Sequence, residues 1–109
     1  MSIENAEIID GLGTDKIRGE ATLLISDHWP WSDEPAHFAL LEAKISRYID
    51  FVTSGQIFEQ MPNARGLPIC IKLIHQHDPS VSAARFLEAA GQQLAELGLR
   101  FSHASLPDT

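Results

Sequence analysis

Between Leu67 and His75 the chain is apolar on both sides of an extended segment, with Ile69, Ile71 and Leu73 on one face and Cys70, Lys72 and Ile74 on the other. Strands with one face in water alternate apolar and polar residues, whereas strands enclosed within a sheet lose that alternation. The stretch is therefore predicted as a central strand, with only Lys72 reaching out along its methylene stem. Such a strand needs neighbours on both edges and a covering layer.

Two segments have the periodicity to supply that layer. Phe38, Leu41, Ile45, Tyr48, Ile49 and Val52 recur at helical spacing, preceded by Ser32 or Asp33 as N-cap with Glu34 and Pro35 in the first turn, and followed by Ser54-Gly55. Glu42, Lys44, Ser46, Arg47 and Asp50 read as the solvated face. A second helix is predicted from about Val81 to Leu97, N-capped by Asp78 or Ser80, burying Ala83, Phe86, Leu87, Ala90, Leu94 and Leu97, with Gly98 as its C-terminal cap.

Ala6-Glu7-Ile8-Ile9 and the run from Ile17 to Ile25 flank the turn-rich Asp10–Asp15, which predicts an N-terminal β-hairpin with Ile17, Ala21, Leu23 and Ile25 facing inward. Gly11-Leu12-Gly13 in that turn lacks the third glycine and the following helix of a phosphate loop. Gln56–Met61 carries no assignable period, and Pro62–Gly66 reads as a turn. Leu99–Ala104 alternates as a last strand, and residues 106–109 read as a frayed tail.

The expected fold is thus α+β in the order ββαβαβ: a four-stranded, mostly antiparallel sheet with two helices packed on one face, the last two strands made parallel by a right-handed crossover. One domain spanning residues 1–109 is expected.

Charge and composition narrow the function classes. Fifteen acidic residues against eight basic ones give a net charge of −7, and the basic residues form no run, which argues against nucleic acid as a partner. No apolar run is long enough to span a bilayer, and the N-terminus does not read as a secretion signal, so the expectation is a cytoplasmic protein without membrane attachment. Cys70 is alone and reads as a buried, inert thiol.

The chain resembles a family of small, functionally uncharacterised bacterial proteins. The matching residues are Leu24-Ile25-Ser26-Asp27-His28 with Trp31, then His37, Leu40–Lys44, Tyr48–Val52, Ser54–Ile57 and Pro62. Glu42 stands where the family usually has glutamine, and Ser46 and Arg47 where asparagine is common. The resemblance implies a bacterial cytosolic domain of this element order and brings no activity, substrate or catalytic residue with it.

The candidate site is the segment from Ser26 to His37, which holds both tryptophans and two of the five histidines between apolar flanks. Indoles combine large apolar area with an N–H that needs a partner, so Asp27, His28, Trp29, Trp31 and His37 are the candidate binding residues. The expectation is an interaction or regulatory module that self-associates through a sheet edge or a helix face, or docks on another protein, with no cofactor, metal or catalytic residue assigned. The alternative is a hydrolytic or metal-dependent enzyme using Asp27 and His28 with other histidines. In that reading His75 and His77 share one side of an extended segment beside Asp78, with His28, His37 and His103 as further ligands. That spacing lacks the regularity of a zinc motif, and no serine or cysteine has a nucleophile signature around it.

Overall fold

Strand β1 (Gly11–Asp15) turns back into β2 (Glu20–Asp27), and the chain then alternates α1 (Glu34–Thr53), α2 (Gln56–Gln60), β3 (Ile69–His75), α3 (Val81–Glu96) and β4 (Arg100–Ser105). A 3-10 turn at Pro62–Ala64 follows α2. The computed structural model describes Ile3 and residues 5–106; the expected tail beyond Leu106 and part of the N-terminal reading lie outside the described residues.

The four strands lie in the order β1-β2-β3-β4. The sheet is mixed, not mostly antiparallel: β1 pairs antiparallel with β2, but β2–β3 and β3–β4 are both parallel. The reason is the connection. A tight turn reverses the chain, whereas a helix between neighbouring strands carries it back so that the next strand runs the same way. Two successive crossovers of one hand, stepping in one direction across the sheet, place both long helices on one face. Phe38 of α1 and Phe86 of α3 accordingly stack with ring centroids 4.4 Å apart.

The helix face of the sheet carries Leu23 and Ile25 from β2 and Ile71 and Leu73 from β3, all buried with Leu41, Tyr48 and Phe51 of α1 and Leu87 and Leu94 of α3. β3 is the central strand its composition predicts, and buried Cys70 lies on its opposite face. The open face shows Thr22, Leu24, Lys72 and Ile74 half-buried. Both long helices start on side-chain caps: the Asp33 carboxylate accepts from the Ala36 N–H, and the Ser80 hydroxyl from the Ala83 N–H. Gly55, at φ 84°, takes the left-handed turn between α1 and α2 that a side chain would resist.

Further expectations are corrected. β1 is Gly11–Asp15, the segment read as a turn, and the turn is residues 16–19; Gly19 at φ 64° and the Asp15 carboxylate, accepting from the Ile17 and Arg18 N–H groups, close it. Ile17 is therefore 98% exposed on that turn and not on a strand. Leu97, past the end of α3, is 54% exposed.

Lys44 departs furthest from expectation. It is fully buried, with its ammonium donating to the Asn5 carbonyl (2.7 Å), the Ile8 carbonyl (2.6 Å) and Asp10 Oδ1 (2.9 Å). Three donors meet three acceptors, so the charge is neutralised and hydrogen-bonded, as burial requires. One turn on, the Tyr48 hydroxyl donates to the Leu24 carbonyl and accepts from the Asp10 N–H. The second Asp10 oxygen accepts from the Ser26 N–H at 2.9 Å. Burial raises the Tyr48 phenol well above its ordinary pKa; the Asp10 N–H bond pulls it back and the Asp10 carboxylate adds to the rise. Asp10 thus ties the N-terminal segment to α1 and to β2 together.

Removing one partner of a buried pair leaves the other charge uncompensated, at a cost of about 3–5 kcal/mol. Lys44→Met is expected to lose stability on that scale in urea denaturation. A loss below 1 kcal/mol would show that the Asp10 carboxylate does not need its cation.

Candidate functional site

Because β2, β3 and β4 are parallel, their carboxyl ends line up at one margin of the sheet, where the loops entering α1 and α3 also lie. Asp27, His75 and Ser105 occupy one row there. Ligands of open α/β sheets bind at this margin.

His37, in the first turn of α1, points back to β2. Its Nε2 lies 2.5 Å from Asp27 Oδ2 and its Nδ1 3.3 Å from the Pro30 carbonyl. A carbonyl can only accept, so Nδ1 carries hydrogen, and a second proton lies between Nε2 and the carboxylate. Asp27 Oδ1 also accepts from the Trp29 N–H at 3.0 Å, which bends the loop. Trp31 stacks on the His37 ring at 3.8 Å with 8° between planes, and Trp29 meets it edge-on at 6.0 Å. The Trp31 indole N–H then donates to the His77 carbonyl at 2.9 Å, linking the loop before α1 to the loop before α3.

Of the sequence candidates, the structure therefore brings together Asp27, Trp29, Trp31 and His37, while His28 lies exposed on the same loop. Asp27 and His37 are buried with their side chains turned on each other, and both indoles are half-buried against the core.

A second group lies beside it. Ser105 Oγ donates to Asp78 Oδ1 at 2.6 Å and lies 3.4 Å from His75 Nδ1, while His75 Nε2 lies 3.1 Å from His103 Nδ1. With the Ser105 proton spent on Asp78, its oxygen accepts from His75 Nδ1–H, and neutral His75 then accepts from His103 through Nε2. The order is thus carboxylate, hydroxyl, imidazole, which directs the serine proton away from the histidine that a nucleophilic serine would need. Burial lowers the pKa of His75, and the facing His103 lowers it further, against the opposing pull of Asp27 and Asp78.

His75 and His77 do not share a site: His75 turns inward to His103, and His77 is exposed. Among the described residues no group of three or more histidine, cysteine or carboxylate side chains is placed to hold a metal. The grooves of about 460 and 510 Å³, between α1 and α3 and along β4, include none of Asp27, His37 or His75 in their linings.

Sequence reasoning missed Ser105 altogether, and it offered His103 as one of several further ligands for His75 without pairing the two, which meet because β3 and β4 pair. It also left open which strands form the sheet edges. No strand among the described residues pairs with its outer edge. Leu106 donates its N–H to the His75 carbonyl at 2.9 Å, toward β3. Backbone groups alternate sides along a strand, so Ser102 and Ala104 also face β3, and the N–H and C=O groups of Phe101, His103 and Ser105 point outward.

A group whose folded pKa is lowered contributes stability that is present above the unfolded value, near 6.5 for histidine, and is lost as the pH falls through the folded value. The chain is therefore expected to lose stability below about pH 6.5. His75→Gln should flatten that slope relative to wild type in denaturation midpoints taken between pH 7.5 and 5, and equal slopes would remove His75 as the cause. Trp31→Ala is expected to cost about 2–3 kcal/mol, since it removes both the cover over His37 and the tie to the α3 loop; an unchanged urea midpoint would mark Trp31 as a surface residue.

No helix among the described residues is long and apolar enough to cross a membrane. No curated protein and no solved structure matches the chain. The family model for DUF6572, described as a family of unknown function, matches residues 1–106, and the chain belongs to that family.

Proposed function

We propose that the protein is an interaction module whose working surface is the free edge of β4, where an extended segment adds to the sheet. The observation that carries this reading is the row of outward N–H and C=O groups on Phe101, His103 and Ser105. An unpaired edge of this kind is a template for strand addition, with backbone bonds supplying affinity and flanking pockets supplying specificity. β4 lacks the usual protections against it: there is no proline among Arg100–Ser105, and Arg100 turns aside to Glu20, 3.3 Å away. The groove of about 510 Å³ beside it, lined by Gly91, Ala95, Leu99 and Phe101 among others, offers room for side chains of the added strand.

The tryptophan loop serves this surface indirectly, by locking the carboxyl margin against which β3 and β4 end. A hydrolytic reading draws less support, because Asp27 and His37 spend their atoms on each other and Ser105 gives its proton to Asp78.

The test is amide exchange on chain diluted until it is monomeric, with and without a blocked peptide copying residues 99–106. The peptide is expected to slow exchange at Phe101, His103 and Ser105, while Ser102 and Ala104 are protected throughout. His103→Pro, which removes an outward N–H and spares the β3 ladder, should abolish the effect while the melting temperature shows that the variant folds. If no peptide concentration slows those three amides, the edge is not a docking surface.

A further inference from the structure

We infer that the partner at the β4 edge is a second copy of this chain, joined antiparallel about a two-fold axis that passes through His103. This rests on the edge reading above and adds the occupant and its register.

Three steps select that register. Residues directly opposite in an antiparallel pair project to the same face of the sheet, and a two-fold axis perpendicular to the sheet preserves faces, so the axis must pass through a residue and not between two. With the axis at His103, the outward residues are all used: His103 meets its own copy, and Phe101 meets Ser105 of the second copy in both directions. Moving the axis to Ser102 sets Ser105 against Leu99, whose N–H is already given to the Leu94 carbonyl at 2.9 Å. Moving it to Ala104 sets Phe101 against position 107, a proline with no N–H to give. Only the His103 register leaves no outward donor or acceptor of β4 without a partner, which is what burial of an edge demands.

The flanks agree with a second copy. In this register Leu106, 48% exposed at the end of β4, comes opposite Arg100 of the other chain, where the groove holding Leu99 and Phe101 begins. α3 flanks the same edge, with Glu88, Gly91, Gln92 and Ala95 lining the groove. A Cβ built on Gly91 would lie 3.6 Å from the Phe101 ring, so this part of α3 sits against the first half of β4. Arg85, three residues before Glu88, is on the same flank, nearer the Ser105 end. The two-fold axis reverses one α3 against the other and brings exposed Arg85 of each copy toward exposed Glu88 of its mate, opposite charge to opposite charge.

The test combines sedimentation of the unmodified chain with disulfide trapping in a Cys70→Ser background. His103→Cys should close a covalent dimer under mild oxidation at least about tenfold faster than Ser102→Cys or Ala104→Cys, since a directly opposed hydrogen-bonded pair has Cα atoms about 5.5 Å apart, within disulfide reach. Glu88→Arg should weaken the dimer by about tenfold, and adding Arg85→Glu should restore it; this pair does not depend on the fold tolerating a new cysteine on β4. Faster trapping at Ser102 or Ala104, or no recovery in the double charge variant, would overturn the register. A monomer at all concentrations would overturn the second copy as occupant. In that case peptide uptake at Phe101, His103 and Ser105 leaves the edge reading standing, and absence of uptake ends both.

Discussion

A parallel strand cannot follow its neighbour through a tight turn, so this chain has to cross over the sheet between β2 and β3 and again between β3 and β4. Both crossovers share one hand, and both helices consequently land on one face. Three further properties follow. The carboxyl ends of β2, β3 and β4 come together at one margin, both long helices lie on the same face, and among the described residues no strand pairs with the outer side of β4.

Two buried polar assemblies hold that frame at its ends. At one, Asp10 takes the Lys44 ammonium, the Ser26 N–H and, through its own N–H, the Tyr48 hydroxyl. At the other, Asp27 and His37 lock β2 to the first turn of α1 under the Trp31 ring. Each assembly has its donors and acceptors matched, which is the condition under which polar groups can be buried without large cost. Among the described residues, neither gathers three or more side chains placed to hold a metal. Asp27, Trp31 and His37, which looked most chemical in the sequence, are therefore bonded or stacked within the fold, while the outer edge of β4 has no paired strand among the described residues.

Lys44 illustrates how a pattern can be present and still be misread. It lies three residues after Leu41 and four before Tyr48, squarely on the apolar stripe of α1. A charge at such a position signals a buried partner, yet nothing local identifies it, because Asp10 lies 34 residues away. The Asp27 and His37 pair was nearer to hand, ten residues apart across a loop that a helix N-cap was already expected to close.

By itself the sequence determined that the chain alternates strands and helices, that β3 is central, and that α1 and α3 cover a sheet, since each follows from local periodicity and capping chemistry. It also singled out the loop before α1, because no other segment concentrates so many aromatic and polar groups. Only the tertiary structure decided where β1 lies, since Gly11–Asp15 has turn composition and becomes a strand by pairing with β2. Only the tertiary structure paired His75 with His103 and turned the backbone N–H and C=O groups of Phe101, His103 and Ser105 outward, because which side of a strand is unpaired depends on its neighbours and not on its own residues.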